Sequence, residues 1–126
     1  IRRSLNVHDF DDVIEKGCNY YKTNFFDKNY TAKYYNDNLY PLDMHSVSQA
    51  ILILTKLSCD KAANDFLVKK IIQRAVETLF IPSENRFSYQ RNKYMNNSIN
   101  YMRWTQAWAY YSFSAFLNYS EIERDE

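Results

Sequence analysis

The feature that most constrains this chain is a phrase it contains twice. Asp43-Met44-His45-Ser46-Val47-Ser48-Gln49-Ala50-Ile51 opens one apolar helical pattern, and Asn100-Tyr101-Met102-Arg103-Trp104-Thr105-Gln106-Ala107-Trp108 opens another. Gln49-Ala50 aligns with Gln106-Ala107 at an offset of 57, and the helical pattern in front of each copy repeats at an offset of 58. A period of this length is one helical hairpin of an array, because each hairpin leaves an apolar face for its neighbour to cover. The 126 residues are therefore expected to form a single all-α domain of two antiparallel hairpins, with four main helices.

The four patterns differ in kind. Residues 7–25 carry Phe10, Val13, Ile14, Gly17, Cys18, Tyr21 and Phe25 on one stripe, with Asp11, Asp12, Glu15, Lys16, Asn19 and Lys22 opposite. Residues 61–79 repeat that stripe as Val68, Ile71, Ile72, Ala75, Val76 and Leu79. Residues 44–58 and 102–119 are apolar on two sides, which predicts helices surrounded by protein. On the second of these, Trp104, Ala107, Trp108 and Tyr111 read as the packing face. Polar groups on the reverse faces sit only in the first two turns, so the N-terminal ends of these inner helices are expected to line a wet pocket. Long loops at 26–42 and 80–101 crowd the same rim. The alternation at 87–90 predicts a short strand paired with 97–101, that is, a β-hairpin within 87–101.

Composition narrows the function classes. A net charge of +1 with both signs interspersed gives no nucleic-acid footprint, and no apolar run approaches the roughly 18 residues of a membrane span. A single Gly argues against phosphate-loop and all-β folds, which need glycine at turns. Cys18 and Cys59 each fall within or just after an apolar pattern and read as buried thiols. The chain opens on Ile1 and reads as a piece of a longer protein, so the compartment is not fixed, with the cytoplasm slightly favoured.

At Tyr40-Pro41-Leu42-Asp43-Met44-His45-Ser46 and at Tyr101 to Trp108, the chain resembles bacterial α/α-toroid proteins of the six-hairpin glycosidase-like type. The resemblance covers most of the chain as the C-terminal part of such a toroid. It implies a polysaccharide-modifying or polysaccharide-binding role; if the whole protein is an enzyme, a glycoside hydrolase, lyase or epimerase is implied, and this piece alone is expected to be inactive. Some similar sequences carry the label of a delta-aminolevulinic acid dehydratase. That chemistry needs a parallel β/α barrel with a lysine pair, and neither βα alternation nor clustered cysteines are present here.

The candidate site residues each have a structural alternative. Asp43 is positioned to cap the second helix or to act as an acid, base or ligand-binding carboxylate. His45, in the first turn near the positive end of the helix dipole, suits hydroxyl recognition or general-base work, or a bond to the adjacent loop. Gln49 and Gln106 are placed to read sugar hydroxyls or to bridge the inner helices. Arg103 favours an anionic group such as a uronate, or an ion pair with Asp43. Tyr40 and Tyr89, on rim loops, are candidates for sugar platforms or for helix-interface packing, while Trp104 and Trp108 read as core.

No metal or cofactor is expected, because His8 and His45 are not at ligand spacing and no phosphate loop is present. The expected partner is an acidic oligosaccharide or polysaccharide, with no nucleic acid and no membrane. Uncovered inner-helix faces predict a homo-oligomer. The competing class is a non-catalytic helical-repeat scaffold.

Overall fold

The computed structural model describes residues 8–56 and 61–122, and these form four helices and a small antiparallel sheet system. Helix α1 spans Asp11–Asn24, α2 Met44–Lys56, α3 Lys61–Leu79 and α4 Ala107–Ile122. The mostly helical expectation holds at this level. Cys59, residue 7 of the first predicted helix and residues 57–58 of the second fall outside the described residues. Among the described residues, no helix is long and apolar enough to cross a membrane.

Helix α2 is the centre of the molecule and packs against both α3 and α4. Met44, Val47, Ala50, Ile51 and Leu54 are all less than 5% exposed, and they join Val68, Ile71, Ala75 and Leu79 of α3 in one core with Ala109 and Phe116 of α4. The α3 stripe read from the sequence is thus buried at Val68, Ile71, Ala75 and Leu79, while Val76 stays open. Asn64, buried in the first turn of α3, donates from Nδ2 to the Leu54 carbonyl at 3.2 Å, pinning the start of α3 to the end of α2.

Helix α1 departs from expectation. Its acidic first turn complements the helix dipole, and Lys16 pairs with Asp12 one turn earlier at 2.7 Å. Its C-terminal half packs inward through Cys18 and Tyr21. The first half of its apolar stripe does not: Phe10 and Val13 are each 64% exposed. A one-sided stripe specifies that a helix has a face to bury, not which neighbour will cover it.

Helix α4 needs a second correction. Trp104 and Tyr111 are exposed, and the buried line is instead Thr105, Ala109, Ser112 and Phe116. Small residues on that line let α4 approach α2 closely, which a line of tryptophans would prevent. Nor is α4 enclosed on two sides, because Tyr110 and Leu117 face solvent. The cause lies in front of the helix. Met102–Gln106 form a π-helical turn, closed by the Ala107 amide donating to the Met102 carbonyl, and this wider turn takes up one extra residue. Burial therefore repeats at an offset of 58, from Val47, Ile51 and Leu54 to Thr105, Ala109 and Ser112, although the shared Gln-Ala pair sits at 57.

The connections converge beside the start of α2. Strand β1 (Leu42–Asp43) pairs antiparallel with β4 (Gln90–Arg91), which pairs with β5 (Asn96–Asn97). Separately, β2 (Phe80–Ile81) pairs with β3 (Arg86–Phe87) around a short 3₁₀ turn at Pro82–Glu84. The expected hairpin is present with different strands: Gln90 faces Asn97 and Arg91 faces Asn96, while Phe87 pairs back with Phe80. Ser88 closes the end of α3, its amide and hydroxyl both donating to the Leu79 carbonyl at 2.8 and 3.1 Å.

Candidate functional site

The first turn of α2 forms the floor of a cleft of about 430 Å³. His45, Ser46, Gln49 and Ile53 contribute from α2, Tyr21 and Phe25 from the end of α1, and Lys33 and Tyr34 from the loop that follows. Asp43, Tyr89 and Trp104 complete the lining. Tyr21, Phe25, Tyr34, Tyr89 and Trp104 are aromatic, and they share the lining with the polar groups of Lys33, Asp43, His45, Ser46 and Gln49, a composition suited to ligands with apolar faces and polar edges.

Asp43 anchors this end of the molecule. It is 2% exposed, and its Oδ1 accepts from the amides of His45 at 2.7 Å and Ser46 at 3.1 Å. Its Oδ2 accepts from Gln90 Nε2 at 2.7 Å. One carboxylate thus caps α2 and ties it to β4. The same connection brings Tyr89 to the cleft, where the Met44 amide donates to its carbonyl at 3.3 Å. Partial burial, then the Asp43 carboxylate, then Tyr34 and Tyr101 push the Tyr89 phenol above its ordinary range. Burial alone pushes Tyr21 up to about 12, so both phenols stay protonated donors at neutral pH.

His45 stands against the start of α4. Its ring lies 5.1 Å from that of Trp108 in an edge-to-face arrangement and 6.4 Å from that of Trp104. Trp104 lines the cleft while remaining 62% exposed. Gln49, one turn beyond His45, lines the same floor.

The structure therefore brings together Asp43, His45, Gln49 and Tyr89 and separates the other three candidates from them. Tyr40 packs against the core from the loop before β1. Gln106 spends its amide on Phe87, accepting from that residue's N–H at 3.1 Å and donating to its carbonyl at 2.7 Å. Arg103 is exposed on the π turn and outside the cleft lining. Its ion pair with Asp43 is not formed among the described residues, because the Asp43 oxygens go to the α2 amides and to Gln90.

Sequence reasoning missed Trp104 as a lining residue and missed Lys33 and Tyr34 altogether. The signal for the last two was the aromatic-rich loop itself. Asp27 Oδ1 accepts from the Asn29 and Thr31 amides at 2.9 and 2.7 Å, and Arg74 Nε donates to Thr31 Oγ1 at 3.1 Å, so the loop is folded down onto α3. Lys33 is held in turn by its ammonium donating to the Asn36 carbonyl at 2.5 Å, while Asn36 Nδ2 donates to the Tyr20 hydroxyl at 2.8 Å.

Comparison with protein-family models, with curated proteins and with solved structures finds no match to this chain.

Proposed function

We propose that the chain binds carbohydrate in the cleft at the start of α2, with an acidic oligosaccharide as the preferred class. The observation that carries this reading is the lining itself: five aromatic side chains share it with the polar groups of His45, Ser46 and Gln49. A pyranose presents a C–H face to rings and hydroxyls to amide and imidazole groups, and this cleft offers both. The acidic preference rests on Lys33, which takes the place that the sequence assigned to Arg103. Lys33 is the one lysine or arginine of the lining, and its ammonium has N–H groups to spare after bonding Asn36.

Binding is favoured over hydrolysis. Two-carboxylate hydrolysis needs a pair of acids about 5–10 Å apart. Asp43 is the one carboxylate among the lining residues, and three donors already converge on it. The finer fold reading belongs to the same proposal: the chain is part of an α/α toroid of the six-hairpin glycosidase-like type. Its support is the offset of 58 that relates Phe10, Val13 and Gly17 to Val68, Ile71 and Ala75, and also Val47, Ile51 and Leu54 to Thr105, Ala109 and Ser112.

Calorimetric titration with a uronate-containing oligosaccharide tests the proposal. Saturable binding is expected, weakened about tenfold by Trp104→Ala, the equivalent of roughly 1.4 kcal/mol of lost ring contact. Lys33→Gln is expected to remove the advantage of the uronate over a neutral oligosaccharide of equal length. No binding of either sugar by the wild-type chain would refute the reading.

A further inference from the structure

A second pocket, of about 260 Å³, shares no lining residue with the cleft. Residues 28–30, from the loop after α1, form one wall, and Lys70, Gln73, Arg74 and Glu77 of α3 form the other. The α3 residues fall at i, i+3, i+4 and i+7, so one helix face presents them together. Two contacts set the loop against that face. Arg74 Nε donates to Thr31 Oγ1 at 3.1 Å, and Thr31 is buried. The Tyr30 ring stands edge-on to that of Phe66, with centroids 6.1 Å apart. Its backbone is left-handed, at a φ of 62°, a conformation that a tyrosine keeps only where its surroundings hold it.

The charge of this pocket is unbalanced. Lys28, Lys70 and Arg74 are cationic, and Glu77 is the one carboxylate of the lining. Glu77 is already engaged, its Oε1 accepting from Gln73 Nε2 at 3.1 Å and its Oε2 from Arg74 Nη1 at 3.3 Å. Held at Nε and Nη1, the Arg74 guanidinium is fixed with Nη2 uncommitted. Among the described residues, neither Lys28 nor Lys70 makes a hydrogen bond or ion pair; the Lys70 ammonium lies 5.7 Å from the centre of the Phe66 ring. Asp27 lies outside the lining, with its Oδ1 on the Asn29 and Thr31 amides.

We propose that this pocket binds the phosphate group of a small phosphate monoester. The lining carries an excess of two positive charges, and a phosphate monoester carries close to two negative charges at neutral pH. A fixed guanidinium beside two lysines supplies the fork and the point charges that phosphate oxygens accept from. The volume of about 260 Å³ falls just below the roughly 300–1,000 Å³ of sites for drug-sized ligands, which fits a phosphate with a short organic remainder.

Amide NMR of the whole chain, titrated with methyl phosphate at low ionic strength, tests the proposal. Saturable shifts are expected at residues 28–30 and 70–77, with none at His45 and Gln49 in the cleft. Methyl sulfate has the same shape and one charge fewer, and it is expected to bind at least about fivefold more weakly. Lys70→Gln should weaken methyl phosphate by about the same factor with the melting temperature nearly unchanged. Inorganic phosphate separates the free ion from the ester, and it is expected to bind no more tightly than methyl phosphate. Tighter binding of the free ion would overturn the assignment to an ester. An absence of saturable shifts at the pocket would overturn the proposal, as would equal affinity for phosphate and sulfate esters or undiminished binding after Lys28→Gln and Lys70→Gln together. Sugar binding in the cleft is independent of each of these results.

Discussion

The starts of α2 and α4 carry the same phrase and are built by different means. Helix α2 begins abruptly, with Asp43 capping two amides and bonding Gln90, and with β1 paired to β4 just before it. Helix α4 begins through a π turn whose N-cap residue, Tyr101, makes no side-chain cap, and Gln106 fastens it sideways to Phe87. The first device fixes a helix end tightly enough to hold His45 and Gln49 in a cleft floor. The second shifts the helix register by one residue and leaves Trp104 at the edge of that cleft. A repeated sequence thus specifies a repeated backbone element, while capping and neighbours decide which side chains each copy shows to solvent.

The largest test of this contrast is the register itself. If burial repeats at 58, Leu54 corresponds to Ser112; if it repeats at 57, Leu54 corresponds to Tyr111. Leu54→Ala should cost roughly 2–5 kcal/mol, as expected for a fully buried leucine. Tyr111, 49% exposed, should lose no more than about 1 kcal/mol on truncation to Ala in chemical denaturation. Equal losses at the two sites would restore the offset of 57.

Next in size are the caps. Asp43→Ala removes a cap and leaves the Gln90 amide without its acceptor, and it is expected to cost roughly 1–3 kcal/mol. Asn100→Ala, at the matching place in the second phrase, should change stability by less than about 0.5 kcal/mol, because that side chain is exposed. Gln106→Ala falls between them. It breaks two bonds to the Phe87 backbone, with an expected loss of roughly 1–2 kcal/mol. Sugar affinity should be unchanged by Gln106→Ala, since the residue lies outside the cleft lining. A binding loss without a stability loss would return Gln106 to the site.

Much of the fold was legible because it is written in local chemistry. The α3 stripe follows from a 3.6-residue period, and an aspartate before an apolar run marks the Asp43 cap. The π turn was not legible, because Gln49-Ala50 and Gln106-Ala107 match best at 57 and the extra residue is absorbed by backbone geometry. The strand partners were missed for a different reason. Each strand has two residues, and β1 meets β4 across a long loop and two helices, so neither periodicity nor turn chemistry marks the pairing. The cleft was half legible. His45, Gln49 and Tyr89 were found from helix position and loop order. Lys33 and Tyr34 depend on how residues 26–41 fold back, and Trp104 depends on the π turn.

Trp104 is not core: it stands exposed at the edge of the cleft. In a Trp108→Phe chain, Trp104 is the only tryptophan, and its fluorescence can be read directly in dilute solution. The account predicts solvent-exposed emission quenched by iodide, moving to shorter wavelength with loss of quenching as a uronate oligosaccharide saturates the cleft. Emission that is already blue, shielded from iodide and unmoved by the sugar would contradict it.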